Sequence, residues 1–303
     1  MKNLIQKSIA KREVLIEDPF IDSFRLVDGA GDQLPDVYLD QLGDNWLLST
    51  KDGLISEELR EALLSFQKTI YWKKLDQHDK QSPSLLGGQE VEDQFLVMEN
   101  ALRYELSFQS GYSQGIFLDQ RENRQRVKEW VSSGDKILNT FAYTGPFSIA
   151  AASAGAVTTT LDLSQTYLDW AKRNMQPNGF SPEDHYFCKG DTFHWLTRFG
   201  KSGRTFEGVI LDPPTFSRDQ KGKPFKVEKD YHKLIKLSKS LLSQKGWILA
   251  CTNCKKLPEW QFEEQIFKGL GEDASNYELQ SYEMPFEYSE EPYLKTYKIS
   301  KRP

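Results

Sequence analysis

From residue 96 onward the hydrophobic positions alternate between two textures. Short runs of apolar and β-branched residues occur at Ile137–Phe141, Val157–Leu161, His185–Cys188, Gly208–Leu211 and Trp247–Thr252, and predict strands buried on both faces. Between and after them, apolar residues recur every three or four positions over Phe147–Ala154, Ser164–Met175, Thr192–Phe199, Glu228–Leu242 and Glu259–Leu270, which predicts helices. Two closing strand-like runs, Glu278–Glu283 and Tyr293–Ile299, have no helix between them. Strands alternating with helices require a parallel sheet covered on both faces, because parallel crossovers need such connections. The expected fold is α/β: a seven-stranded, mostly parallel sheet with an antiparallel edge strand, where the closing runs pair as a hairpin.

The first third has a different pattern. Arg12–Glu17 and Phe24–Val27 read as short strands, followed by Asp-Gly-Ala-Gly at 28–31. Val37–Leu39 and Trp46–Ser49 flank Leu-Gly-Asp-Asn, a hairpin connection. Ile55–Phe66 has helical spacing and Thr69–Trp72 reads as a strand. The polar stretch Asp76–Gln89, with Ser-Pro-Ser and Gly-Gly, is the expected linker. Leu96–Met98 and Leu102–Phe108 alternate like a hairpin around Glu99-Asn100. The expected division is therefore a small α+β domain over 1–90 and the large α/β domain over 91–303.

Composition narrows the classes. The 39 Lys+Arg against 44 Asp+Glu, net −5, exclude a histone-like polyanion binder but leave room for a local basic groove. With 38% hydrophobic and 13% aromatic residues, there is material for packed cores. No apolar run reaches the length of a membrane span and Met1–Glu13 is polar, so neither a span nor a secretory signal is expected. The three cysteines (188, 251, 254) and four scattered histidines show no zinc spacing; a reduced, cytoplasmic, metal-free enzyme is the expectation.

Ligands of such sheets bind beyond the carboxyl ends of the strands. After the first strand of the large domain comes Ala142-Tyr143-Thr144-Gly145-Pro146, where Gly145 permits close backbone approach and Pro146 suits a helix start. Asp162 follows the second strand, placed to grip a ribose diol; Asp191 follows the third, placed to accept from an adenine amine. Each also reads as a helix N-cap. After the fourth comes Asp212-Pro213-Pro214-Thr215-Phe216; two prolines cannot continue a central strand, and an acid beside an aromatic makes a shelf for a flat base. There is no G-x-G-x-x-G and no Walker lysine motif. Three acids after consecutive strands point to adenosine with a short anionic tail, hence S-adenosylmethionine rather than NAD.

Gly115-Ile-Phe-Leu-Asp-Gln-Arg-Glu-Asn-Arg124, Leu138-Asn-Thr-Phe-Ala-Tyr-Thr-Gly145 and Leu211-Asp-Pro-Pro-Thr-Phe-Ser217 closely resemble the bacterial 23S ribosomal RNA methyltransferases, which include 5-methylcytosine and N-methylguanine enzymes. The likeness covers about 96–303 and reaches more thinly into Arg25–Gly29, Gly31-Asp32 and Leu34-Pro35 of an accessory, RNA-docking domain. It implies a Rossmann-like class I methyltransferase. By position, Phe117, Asp119 and Arg121 line the methionine end of the cofactor, with Arg121 on its carboxylate. Phe141, Tyr143, Thr144 and Gly145 contact it near the sulfonium, Asp162 and Leu163 hold the ribose, Asp191 and Thr192 the adenine, and Asp212 sits by the transferred methyl. Two departures stand out. Pro146 replaces a second glycine, and Asn253 falls where the 5-methylcytosine members carry their cysteine nucleophile, with Cys254 next to it.

Carbon-5 of cytosine needs a thiolate adduct before it can be methylated, whereas a base nitrogen needs only placement, a dry pocket and a polar partner for its N–H. The expectation is nitrogen methylation, guanine favoured, by Asp212, Pro213, Pro214, Phe216 and Asn253; the alternative is 5-methylcytosine chemistry on Cys254. Residues 218–239 hold eight basic and three acidic side chains. Lys221, Lys223 and Lys226, with Lys255 and Lys256, are the expected contacts for a structured RNA partner, 23S rRNA or the assembling large subunit. Lys233, Lys236 and Lys239 also read as an ordinary solvated helix face. A small-molecule or protein methyltransferase, or a non-catalytic RNA-binding module, are the competing classes. Oligomeric state is left open by the sequence.

Overall fold

The computed structural model describes residues 1–302 apart from 52, 76–80, 219–221 and 223. The chain divides into two compact units, Met1–Glu122 with Pro285–Pro292, and Asn123–Met284 with Tyr293–Pro303.

The first unit contains α1 (Lys2–Lys11), α2 (Glu13–Ile16), β1 (Ser23–Asp28), β2 (Val37–Leu42), β3 (Asn45–Thr50), α3 (Glu57–Leu64), β4 (Thr69–Lys74), β5 (Ser84–Gly87), β6 (Phe95–Glu99) and β7 (Leu102–Leu106). Strands β1 to β5 form one sheet in sequence order, antiparallel except for β3–β4, which α3 joins as a parallel crossover. Alternate residues Phe24, Leu26, Leu39, Trp46, Leu48 and Ile70 meet Ile5, Leu15, Leu59 and Leu63 in its core. That packing explains the first departure from the sequence reading. Arg12–Glu17, expected as a strand, is helical because Ile5, Ser8, Arg12 and Leu15 are buried at three- and four-residue intervals, one face of a helix.

The expected linker is also not a simple linker. Residues 76–80 lie outside the described residues, but Ser84–Gly87 pairs antiparallel with β4 as an edge strand. The β6–β7 hairpin turns at Asn100-Ala101, both left-handed (φ +53° and +65°), as a two-residue type I′ turn requires. It belongs to the first unit, which extends to residue 122 rather than 90. The excursion Pro285–Pro292 returns to this unit as a strap. Glu290 accepts from the Ala30 N–H and the Tyr38 hydroxyl, and the Glu287 carbonyl accepts from buried Arg12. Glycine is required beneath it: a Cβ on Gly31 would lie 2.5 Å from the Ser289 backbone.

The second unit begins within α4 (Arg121–Trp130), of which Arg121 and Glu122 belong to the first unit, and continues with β8 (Lys136–Thr140), α5 (Pro146–Ser153), β9 (Val157–Asp162), α6 (Gln165–Met175), β10 (Tyr186–Lys189), α7 (Thr192–Lys201), β11 (Phe206–Leu211), β12 (Phe216–Arg218), β13 (Pro224–Lys226), α8 (Val227–Lys239), β14 (Leu242–Thr252), α9 (Glu259–Leu270), β15 (Tyr277–Tyr282) and β16 (Lys295–Lys301). The seven-stranded sheet runs β10-β9-β8-β11-β14-β16-β15, parallel from β10 to β14. The antiparallel strand is β16, seated one strand in from the edge between β14 and β15. Helix α8 stops at Lys239, and Leu242, expected at its end, opens β14 instead.

Both faces are covered, as the apolar runs demand. Leu138, Leu161, Val209, Leu211 and Ile248 pack with Leu196, Leu234, Ile235 and Phe262 on one side. Ile137, Ile210 and Leu249 pack with Val127, Phe147 and Ala151 on the other. The short β12–β13 hairpin, which the alternation did not reveal, stands between β11 and α8. Among the described residues, no helix is long and apolar enough to cross a membrane.

Candidate active site

The chain leaves β8 and builds outward through β9 and β10, then returns to place β11 on the other side of β8. That reversal between β8 and β11 is where an open α/β sheet opens a crevice at its carboxyl edge. The loops after β10, β9, β8, β11 and β14 are therefore neighbours. They carry Asp191, Asp162, Tyr143 to Gly145, Asp212 and Asn253 in that order. From β10 to β11 is three strand spacings, on the order of 14 Å, the scale of a nucleoside with a short tail.

The β8 loop is the most strained of these. Phe141 and Tyr143 hold left-handed conformations (φ +52° and +51°), uncommon for aromatic residues and of the kind that functional loops sustain. Gly145 (φ +79°) caps α5 with Pro146 at the first helical position, so the α5 amides face the crevice. A Cβ on Gly145 would lie 2.8 Å from the Ala171 Cβ, so glycine lets α6 close on the loop. Buried Asn174 of α6 donates to the Thr144 carbonyl at 3.0 Å.

Asp162 ties two loops together: Oδ2 accepts from the Tyr143 N–H (2.9 Å) and Oδ1 from the Ser164 N–H (2.8 Å), while its carbonyl accepts from Gly190 (2.9 Å). Burial pushes its carboxyl above the ordinary range, and these backbone donors offset part of the rise. Ser164, not Asp162, caps α6. Leu163 beside it is exposed, an apolar surface at the crevice. Asp191 does cap α7, with Oδ1 accepting from the His194 N–H at 2.9 Å, and Thr192 is buried at the first helical position. A cap uses one oxygen of the carboxylate, so the capping and ligand roles are compatible.

Sequence reasoning missed the aromatic and hydroxyl links between these loops. Phe225 of β13 is buried, 6.4 Å ring to ring from Phe141 and 5.8 Å from Phe193. One residue of the basic hairpin thus packs with both the loop after β8 and the first turn of α7. The Tyr143 ring meets Tyr167 edge-on at 4.6 Å. Tyr231 of α8 is fully buried and its hydroxyl lies 2.9 Å from the Leu211 carbonyl and 3.1 Å from the Cys251 carbonyl. The only sequence signal for these was an apolar stripe on a helix and a Phe within a charged run.

At the far side, Asp212 is half-buried, Pro213 buried, Pro214 exposed, and Phe216 stands 48% exposed at the start of the hairpin. Asn253 is exposed, whereas Cys254 is buried with its thiol donating to Glu228 Oε1 at 3.7 Å. Burial, then the Glu228 charge, push that thiol above its ordinary value, away from the thiolate a nucleophile needs. Lys226, Lys255 and Lys256 are exposed; Lys221 and Lys223 lie outside the described residues. Lys233 and Lys239 pair with Asp230 and Asp273, so part of the α8 charge is spent on the protein itself.

Phe117, Asp119 and Arg121 lie in the first unit, Phe117 exposed and Asp119 half-buried on the turn that precedes α4. Arg121 differs from the expectation that it meets the cofactor carboxylate. Its Nη2 donates to both Glu287 oxygens (2.9 and 2.8 Å), and its Nη1 pairs with Glu122 at 2.9 Å. A guanidinium so engaged, 4% exposed, is committed to the strap. Among the described residues no cluster of three or more His, Cys, Asp or Glu could hold a metal.

Sheet order, a reversal at β8/β11 and acids at the carboxyl edge define a Rossmann-like nucleoside-binding domain. Residues 25–290 match the model of the S-adenosylmethionine-dependent methyltransferase family, and the chain belongs to that family. It is 31% identical over 287 residues to the putative ribosomal RNA large subunit methyltransferase YwbD of Bacillus subtilis (strain 168), covering 91% of this chain and 72% of that one. It is 37% identical over 165 residues to ribosomal RNA large subunit methyltransferase K of Neisseria meningitidis serogroup B, covering 54% of this chain and 46% of that protein's length. The crystal structure of SMU.776, a putative methyltransferase complexed with SAH, superposes with a TM-score of 0.88 at 30% identity, covering 99% of this chain and 80% of that one. The family's methyl donor is S-adenosylmethionine, and the residues at the carboxyl edge fit it: a desolvated carboxylate for a diol, and α5 amides that no side chain caps for an anion.

Proposed function

We propose that this enzyme methylates a base nitrogen, most favourably of guanine, in large-subunit ribosomal RNA in the cytoplasm. Asp162 and Leu163 hold the donor's ribose, Asp191 and Thr192 its adenine, and Phe141, Tyr143, Thr144 and Gly145 the region near its sulfonium. When bound, S-adenosylmethionine supplies an electrophilic methyl. Asp212 accepts a hydrogen bond from the target base and orients its nitrogen, Pro213 and Pro214 keep that carboxylate from drifting, and Asn253 donates or accepts from the next loop. Phe216 offers its face to a base drawn out of the RNA stack, and Lys226, Lys255 and Lys256, with Lys221 and Lys223, meet phosphate.

The observation that carries the choice of nitrogen over carbon is Cys254. A buried, protonated thiol facing Glu228 is a poor nucleophile, and the exposed residue next to it, where the expected nucleophile would stand, is an asparagine, which forms no adduct with cytosine. The RNA substrate is supported by the relatives' names and by the exposed aromatic beside exposed lysines. The test is transfer of labelled methyl to unmodified 23S RNA, followed by nucleoside analysis. Label is expected in an N-methylated guanosine, unchanged by Cys254→Ala and lost in Asp212→Ala with donor affinity retained. Label in 5-methylcytidine that disappears in Cys254→Ala would overturn the assignment.

A further inference from the structure

Resting on that reading, we infer that Tyr231 is a positioning residue, whose hydroxyl holds together the ends of the two strands that present Asp212 and Asn253. Strands β11 and β14 are parallel neighbours, with Leu211 opposite Ala250 in the register. Immediately beyond that pair the ladder fails. Asp212 is followed by Pro213 and Pro214, which have no N–H to donate, so these two positions cannot continue the ladder toward the β14 loop as donors. Tyr231 reaches this gap from the inner face of α8. Its hydroxyl stands between the Leu211 carbonyl, one residue before Asp212, and the Cys251 carbonyl, two before Asn253. A phenol has one proton, so it is shared between two acceptors and draws both strand ends toward one point.

The ring is held for this task. Tyr231 is fully buried and meets Phe262 of α9 edge-on at 4.8 Å, so the hydroxyl cannot swing away. Burial, with Cys251 and then Asp212 adding to it, drives its titration well above the ordinary phenol value, so the hydroxyl keeps its proton. The helix that carries Tyr231 follows the basic hairpin directly, and the Val227 N–H at its start donates to the Thr215 carbonyl at 3.2 Å. The segment proposed to meet RNA is thus built onto the group that sets the transfer geometry.

Tyr231→Phe removes one oxygen and keeps the ring, so the core survives. In hydrogen–deuterium exchange of the full chain, the amides of 215–217 and 252–256 should exchange faster in Tyr231→Phe, with 141–145 and 162–165 unchanged. In the RNA transfer assay, kcat should fall on the order of 10- to 100-fold, as displacement of a reacting group by a fraction of an ångström does, while the KM for RNA and the affinity for S-adenosylhomocysteine stay within about 2-fold. Unchanged exchange in both loops, or an unchanged kcat, overturns the inference. So does a loss of donor affinity in step with kcat, which marks a general structural role. If the wild-type enzyme fails to methylate any large-subunit RNA, the proposed function falls, and the exchange measurement still decides for or against Tyr231.

Discussion

Replacing Asp162 by Asn separates the two jobs the structure gives this carboxylate. As a staple it accepts from two backbone N–H groups, at 2.9 and 2.8 Å, one of them on the left-handed Tyr143. Hydrogen bonds to a charged group contribute about 1.5–3 kcal/mol each and an asparagine oxygen can keep one of the two, but burial outweighs these donors, so removing the charge offsets part of the lost bond and the apo protein should lose less than that amount. As a ligand the carboxylate should contribute a similar amount toward a ribose diol, a weakening of about 10- to 100-fold in affinity for S-adenosylhomocysteine.

The pH dependence tells the two apart. Burial raises the carboxyl in the folded state above its ordinary 3.8. A folded-state pKa above the unfolded one means that the folded protein binds the proton more tightly, so this residue's contribution to stability is fullest at low pH and declines as pH rises through that window. Donor affinity runs the other way, because acidification converts an acceptor into a hydroxyl. Denaturant unfolding of wild type minus Asp162→Asn should therefore fall with rising pH, while calorimetric affinity of the wild type rises, and the variant should show neither trend. If Asp162→Asn binds S-adenosylhomocysteine within about 2-fold of wild type at neutral pH, Asp162 is a staple alone and the placement of the donor is wrong.

Two other perturbations probe the supports of the site. Gly145→Ala puts a Cβ 2.8 Å from that of Ala171 on a backbone at φ +79°, which should cost at least about 1–2 kcal/mol in thermal unfolding and weaken the donor; full retention of both would mean α6 does not close on the loop. Glu287→Gln should destabilise by up to about 3–5 kcal/mol, since it leaves the buried Arg121 charge with Glu122 as its remaining carboxylate, and adding Arg121→Met should restore most of the loss. Strictly additive costs in urea unfolding would show that the two are not a pair.

The large unit was readable because its strands are buried on both faces and its helices on one, so each element declares itself within a dozen residues. The carboxyl-edge loops followed from that alternation, and with them the places of Asp162, Asp191 and Asp212. Periodicity fails where burial is carried by polar groups. Arg12 is 1% exposed and Ser8 likewise, so the α1–α2 face has no apolar stripe to read, and the segment passed for a strand. Ser84–Gly87 failed for the opposite reason: an edge strand of four residues, two exposed and two half-buried, has almost no pattern at all.

Long-range charge pairing was the least legible layer, and it changes the meaning of a motif. Arg121 closes the Phe-Leu-Asp-Gln-Arg run, and a cation there invites assignment to an anionic ligand. Its partner is Glu287, 166 positions away in a strap whose sequence gives no sign of joining the first unit. The same strap rests on Gly31, and its Glu290 bonds to Ala30 and Tyr38, so the Gly-x-Gly-Asp segment packs against 287–290. On the proposed placement of the donor, with Arg121 spent on Glu287, the backbone amides that open α5 behind Gly145 would meet its anionic end. Such a site reads carboxylate through N–H groups, so Arg121→Met combined with Glu287→Met should restore folding and still bind S-adenosylhomocysteine within about 3-fold of wild type. A loss on the order of 100-fold in the well-folded double variant would return Arg121 to the cofactor.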